Sequence, residues 1–318
     1  MLNVENLSIA FESSQGKLQA VDDISFRVND QEILGLVGES GSGKSVTALS
    51  ILNLLSQDAI LRAKTLSFRD KNILDPTQIK KIRGRDIGLI FQNPLAALNP
   101  VYTIGNQLIE TIQLHQGLQH KEAKKTAIDL LEKVKIPDPE KRLESYPHHF
   151  SLGMCQRVMI AITLAMKPSL LIADEITASL DVTIQAQILA LLNELKTEFK
   201  MSILMISHDL GVIAQHCDRI MVMYLGKIVE EGRPHDIFKN PQHPYTQALI
   251  AAIPSADPDQ SYQPTLIKGD IPSPLNIPKG CRFHPRCPKV KAICKDKEPL
   301  FKGNAERRVA CWLFEDGR

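Results

Sequence analysis

The sequence has no apolar run approaching the roughly 18 residues that a membrane-spanning helix needs, and at +2 its formal net charge is nearly balanced. The first absence predicts a chain that does not itself cross a bilayer. The second excludes a strong global pull toward nucleic acid or an anionic surface. The opening MLNVENLSIAFESS lacks the basic start and apolar core of a secretory signal. Together these predict a cytoplasmic chain whose membrane role, if any, comes through a partner. No internal repeat is present, which excludes a solenoid.

What is present is an ordinary globular composition, 43% apolar and 23% charged, over 318 residues, enough for one large domain or two modest ones. The six cysteines are unevenly spread. Cys155 and Cys217 lie alone, whereas Cys281, Cys287, Cys294 and Cys311 crowd toward the end. In a reducing compartment such a crowd reads as a metal site before it reads as disulfides.

Short strands open the chain: LNVENLSIAF, AVDDISFRV and EILGLVG. GESGSGKS follows, then VTALSILNLL with helical spacing. Strand, Gly-rich loop and helix in that order form the opening unit of a doubly wound nucleotide-binding fold. DIGLIFQ, SLLIADE and SILMISH are further apolar strands, and EAKKTAIDLLEKV and TIQAQILALLNELKTEF are amphipathic helices. All-apolar strands alternating with helices predict a mainly parallel sheet covered on both faces. Beyond about residue 236 prolines become frequent (HPYTQAL, IPSADPD, IPSPLNIP), which marks a separate C-terminal module.

Gly38, Ser40, Gly41, Gly43, Lys44 and Ser45 fit a phosphate-binding loop. Its glycines let backbone N–H groups turn toward phosphate oxygens, and the next helix adds its positive end. Lys44 is expected to reach the β- and γ-phosphates and Ser45 to ligate Mg²⁺. The apolar strand ending in Asp174-Glu175 is expected to deliver two carboxylates to the sheet edge: Asp174 toward Mg²⁺ through water, Glu175 to polarise an attacking water. The plainer alternative for that pair is a solvated acidic turn.

The ordered series LVGESGSGKS, IFQNP, FSLGMCQR, LLIADE, SLD and SHD resembles the ATP-binding subunits of ABC transporters over residues 1 to about 235. The resemblance implies an α/β P-loop ATPase with an antiparallel β edge. Residues 1–95 and 157–235 would form its nucleotide-binding lobe and about 96–156 a helical subdomain. It implies that Phe11 stacks on adenine, the alternative being plain core. Gln92 would sense the γ-phosphate, help hold Mg²⁺ and face the membrane partner. His208 would contact the γ-phosphate. Ser151, Gly153 and Gln156 would act on ATP held by a partner subunit, and Asp181 would lie on a loop at the dimer interface. Asp181 also reads as a helix N-cap.

The signature departs from the family pattern, which has Ser-Gly-Gly where this chain has Ser151-Leu152-Gly153. Cys155 stands where arginine is common among close relatives, and Ile176 where proline is usual. Leu152 adds bulk where a partner's nucleotide would dock, the alternative being a loop that tolerates it. The expectation is two unequal ATP sites and a heterodimer with a second ATPase subunit.

HPYTQALIAAIP, GCRFHPRCP and RRVACWL resemble the tail of dipeptide and oligopeptide importer ATPases. That implies a [4Fe–4S] cluster on Cys281, Cys287, Cys294 and Cys311 in a module spanning 236–318. The intervals of five, six and sixteen residues are wider than the tight pairs of structural zinc. Free buried cysteines are the plain alternative. The implied partners are two integral-membrane permease subunits and an extracytoplasmic substrate-binding protein, with the chain peripheral at the cytoplasmic face of the inner membrane. Nickel or antimicrobial peptides are alternative cargo. A soluble ATPase of nucleic-acid repair or translation is a competing class, but the small basic excess suggests no nucleic-acid partner. An Fe–S electron-transfer protein leaves the phosphate loop unexplained.

Overall fold

The computed structural model describes residues 1–14, 16–253, 269–304 and 306–314. Most of the IPSADPD stretch therefore lies outside the described residues. The chain divides into two compact units, one made of Met1–Leu74 with Met205–Arg318 and the other of Asp75–Leu204. Residues 236–318 fall in the first of these. No described helix is long and apolar enough to cross a membrane.

In the first unit, the strand Leu2–Ser13 pairs antiparallel with Gly16–Val28, Ala59–Arg62 and Thr65–Phe68. Leu2 and Val4, and beyond a register shift Leu7 and Ile9, point into the core, so a period of two holds on either side of the shift. A second sheet contains Ile33–Val37, parallel to Arg219–Tyr224. Both are almost wholly apolar and buried along nearly their full length, the pattern of strands covered on both faces. Arg219–Tyr224 returns as Lys227–Gly232 through a two-residue turn whose Leu225 and Gly226 both have positive φ (43° and 81°), the geometry that matches strand twist. Arg307–Val309 then adds antiparallel to Lys227–Gly232.

Buried charge fixes that last strand in place. Glu230 and Glu231 are almost inaccessible. Arg307 donates to Glu230 at 2.9 Å, Arg308 pairs with Glu231, and Arg219 bonds both Glu231 and Glu32. The Glu230 carboxylate also accepts the backbone N–H groups of Gln242 and His243, at 2.8 and 2.9 Å. A buried carboxylate is tolerated where this many donors face it, and removing one partner would leave those hydrogen bonds unmade.

HPYTQAL begins the helix Pro244–Ala251. His243 caps it, its Nδ1 accepting the Tyr245 N–H at 3.1 Å, with Pro244 at the first helical position. Burial pushes the His243 imidazole down from 6.5 to about 3. The unfolded chain therefore takes up a proton below pH 6.5 that the folded chain refuses. The stability this residue contributes is complete above 6.5 and is lost as pH falls toward 3. Denaturant unfolding at pH 7 and pH 5 is expected to differ by about 2 kcal/mol on account of this one residue. A His243→Gln chain is expected to lose that share of the pH slope. An unchanged slope would mean that His243 titrates normally.

The second unit holds the parallel strands Ile87–Ile90 and Leu170–Asp174, in register Ile87↔Leu170 through Ile90↔Ala173. Its main helices are Ile104–Gln116, His120–Lys133, Leu152–Leu164 and Val182–Phe199. Three of the four start on an oxygen-bearing cap, Thr103, Ser151 or Asp181, and Ile104–Gln116 stops at left-handed Gly117. The fold is thus α/β, with one antiparallel and one mixed sheet, and the parallel pairs described above are made of almost wholly apolar strands.

Candidate functional site

The phosphate loop runs from the buried strand Ile33–Val37 into the helix Lys44–Ile51. Three of its glycines are required for three different reasons. A Cβ at Gly38 would stand 2.1 Å from the Met223 carbonyl oxygen, so the backbone passes too close for any side chain. Gly43, at φ 106°, caps the helix and abuts the Ala20 carbonyl. Gly41, at φ 78°, would point a Cβ into open space, which makes the tip of the turn a concave cradle of main chain. Lys44 is buried and turned inward, its Nζ donating to the carbonyls of Gly38 (2.8 Å) and Glu39 (3.0 Å). The buried Ser42 hydroxyl has no hydrogen-bond partner among the described residues. An open cradle, an inward ammonium and an orphaned hydroxyl fit a bound phosphate group. Ser40 and Ser45 are exposed on the same loop.

Sequence reasoning missed what holds this loop from behind. Glu39 is gripped by residues of the tail. Arg286 reaches its carboxylate through both terminal nitrogens, Nη1 to Oε2 at 2.8 Å and Nη2 to Oε1 at 3.2 Å. The buried Tyr245 hydroxyl accepts the Glu39 N–H at 2.9 Å. Burial alone would lower the Arg286 guanidinium, but its hydrogen bonds to Glu39 and Tyr224 outweigh that and raise it above its ordinary value. Glu39 occupies an unspecified position of the loop pattern, so nothing in the pattern pointed to it. The Gly226 N–H of the neighbouring hairpin also donates to the Ser42 carbonyl at 2.8 Å.

In the second unit the structure brings Gln92 and Glu175 together, Gln92 Nε2 donating to Glu175 Oε2 at 3.0 Å. Glu175 sits at positive φ (47°) just beyond the strand Leu170–Asp174, so the chain turns sharply there and leaves both acids half-exposed. Ile176, at the position where the family has proline, is buried. The Ser151 hydroxyl caps the helix Leu152–Leu164 by accepting the Met154 N–H at 3.3 Å. Gly153 lies so near Ile184 that a Cβ would come within 2.7 Å of its Cγ2, which ties the signature to the helix that Asp181 begins. Asp181 is indeed that N-cap, accepting the Ile184 N–H at 3.0 Å. Leu152 is half-buried on the first turn and Cys155 fully buried. The Gln156 amide nitrogen is buried without a hydrogen-bond partner among the described residues.

Phe11 is only half-buried on its strand, opposite Leu18 and Ala59. His208 is exposed at the end of Ser202–Ser207, just before the cap Asp209 of the next helix.

The [4Fe–4S] expectation finds no support among the described residues. Among the described residues, no group of three or more His, Cys, Asp or Glu side chains stands in a geometry that could hold a metal ion. Cys281, Cys287, Cys294 and Cys311 are free thiols that border one narrow cavity with His243 and Trp312. Burial pushes the Cys281 thiol up to about 12 and also raises Cys287 and Cys311.

Comparison with known proteins follows these features along the chain. The family model described as ABC transporter matches residues 21–178, and the model for the oligopeptide/dipeptide transporter C-terminal region matches 229–294. A putative peptide import ATP-binding protein of Brucella abortus is 48% identical over 98% of this chain and 94% of its own length. The oligopeptide transport ATP-binding protein OppD of Escherichia coli is 44% identical, covering 98% and 93%. Among solved structures, cbiO1 of Clostridium perfringens, part of the ABC transporter complex cbiONQ, superposes with a TM-score of 0.65 at 27% identity over 75% of this chain and 90% of that one.

Proposed function

Because the chain belongs to the ATP-binding subunits of ABC transporters, in the oligopeptide and dipeptide branch, we propose that it hydrolyses ATP to drive peptide import. The observation that carries this reading is one chain joining a complete phosphate loop to a tail of the oligopeptide/dipeptide type. In this reading residues 1–235 are the ATP-binding domain, with its helical signature subdomain at about 96–156, and 236–318 the importer-type module. Lys44 and the loop glycines bind the phosphates. Ser45, Asp174 and Gln92 are the residues that would hold Mg²⁺, which would supply charge neutralisation on the phosphates. Glu175 accepts a proton from the attacking water, and His208 meets the γ-phosphate. Phe11, half-exposed, stacks on adenine. The partners are two membrane permeases, a second ATPase subunit and an extracytoplasmic binding protein, with the chain peripheral at the inner membrane face. In vesicles carrying the permeases and both ATPases, ATP-dependent uptake of labelled di- and oligopeptides tests it. Uptake of nickel alone would overturn the peptide reading.

The same assay tests the unequal sites. Gly153 packs against Ile184, but Leu152 is free of that constraint and projects from the first turn of the signature helix. Leu152→Gly is expected to raise ATP turnover about twofold as the second site becomes competent. No rise would end the heterodimer argument.

A [4Fe–4S] cluster on Cys281, Cys287, Cys294 and Cys311 is the finer proposal for the tail. It is supported by the family branch and by the four thiols sharing a cavity, and opposed by their present spacing. Iron, acid-labile sulfide and zinc in anaerobically purified protein decide it. Near four iron and four sulfide per chain supports the cluster; zinc or no metal discards it.

A further inference from the structure

We propose that the cysteine-bearing tail positions the phosphate loop for nucleotide, through Arg286 and Tyr245 acting on Glu39. The inference rests on the reading of Gly38–Ser45 as the ATP phosphate site. Glu39 is the only acidic residue of that loop, a negative charge beside the place where a polyanion binds. Left unanswered, it repels the triphosphate.

Arg286 answers it. The guanidinium forks onto both carboxylate oxygens, a geometry that fixes direction as well as charge. Arg286 is itself held fast: it is buried, its Nε donates to the Gly269 carbonyl at 3.2 Å, and it lies against the Tyr224 ring at 5.8 Å. The main chain of Glu39 is clamped too. Its N–H goes to the wholly buried Tyr245 hydroxyl, and its carbonyl accepts from Lys44. The residue that precedes the turn is therefore fixed at its N–H, its carbonyl and its carboxylate. Two of these three fixings come from residues 206 and 247 positions later in the chain.

Arg282 gives the same segment a second hold. It follows Cys281 as Arg286 precedes Cys287. It donates to the Leu225 carbonyl and pairs with Asp22, and Gly226, next in the hairpin, bonds the Ser42 carbonyl of the loop. The segment between Cys281 and Cys287 thus meets the loop directly through the Arg286 side chain and, through the Arg282 side chain, by way of the hairpin. Arg286 and Tyr245 are positioning residues: they act on the nucleotide through Glu39 and do not touch it.

The test uses the full-length chain and fluorescent ATP and ADP analogues with Mg²⁺, with thermal unfolding followed in parallel. Arg286→Gln is expected to weaken ATP about tenfold and ADP about threefold, since the repulsion grows with phosphate charge. Adding Glu39→Gln to that chain is expected to bring the ATP Kd back to within about twofold of the unaltered protein. A merely structural arginine would lower the Tm while leaving the Kd of the folded protein, and its ATP-to-ADP ratio, unchanged. That result, or failure of Glu39→Gln to restore affinity, overturns the proposal. Should Arg286→Gln not fold, Tyr245→Phe reads the main-chain half of the clamp. It is expected to weaken both nucleotides about threefold by freeing the Glu39 N–H, and an unchanged Kd overturns the proposal. If the unaltered chain binds no ATP analogue, the ATP reading itself fails and this inference falls with it.

Discussion

Glu175→Gln is expected to lower ATP turnover by a factor of about 10²–10⁴, the usual range for a lost general base, while ATP affinity stays within about twofold. The substitution is chosen because it preserves shape. Glutamine keeps an oxygen that can accept from Gln92 Nε2, so the 3.0 Å contact survives. What it loses is the basic carboxylate. The left-handed turn at φ 47° is unaltered too, because the side chain keeps its length and branching. Phosphate release from the assembled ATPase pair measures turnover, and analogue titration measures binding. Turnover within tenfold of the unaltered chain would remove Glu175 from the chemistry. Loss of binding along with turnover would make it a structural residue of the loop.

Gly38→Ala carries the other large effect, and it acts on both fold and ligand. A Cβ there has nowhere to go, since the atom it meets at 2.1 Å is a main-chain oxygen that cannot swing aside as a side chain would. Either the strand Arg219–Tyr224 moves or the loop does. Overpacking of this kind costs about 1–3 kcal/mol or more. The Gly38 carbonyl is also one of the two that orient Lys44, so a shift there moves the ammonium. ATP affinity is expected to fall by more than about thirtyfold together with a lower Tm. Gly41→Ala is the comparison. Unlike Gly38 it sits at positive φ, but its Cβ enters open space, so it is expected to cost only about 1 kcal/mol of backbone strain. Equal Tm losses for the two would show that close approach at Gly38 is not what the glycine serves.

The local elements were legible because each carries its own signal. VTALSILNLL follows a glycine loop, DIGLIFQ and SLLIADE are apolar and short, and Asp181 precedes a strongly periodic helix. All appear where the patterns put them. Harder to read were Ala59–Arg62 and Thr65–Phe68, four-residue strands too brief for any period to emerge. RIMVMY and KIVEEG were missed because the turn between them is Leu-Gly, without the Asn-Gly or Asp-Gly that announces a hairpin. At the site, Lys44 and the glycines were readable because phosphate chemistry constrains spacing within one segment. Glu39, Tyr245 and Arg286 were not, because their pairing spans more than 200 residues. The cysteines were legible as a group, since crowding in sequence brings four thiols to one cavity, but the spacing of thiols along a chain does not by itself say what they hold.

The order in which the chain leaves the ribosome gives the two units different fates. Asp75–Leu204 is contiguous in the chain. The other unit is split: its first 74 residues carry the phosphate loop and two long antiparallel strands, yet they close with residues from 205 onward. Glu39 finds Arg286, and Glu230 finds Arg307, only near the last residues synthesised. At about 5–20 residues per second, the phosphate loop waits roughly 12–50 s for Arg286. For most of that interval the strand Ile33–Val37 also lacks its parallel neighbour Arg219–Tyr224, and termination anywhere between the phosphate loop and Arg286 leaves Glu39 without the charge that balances it.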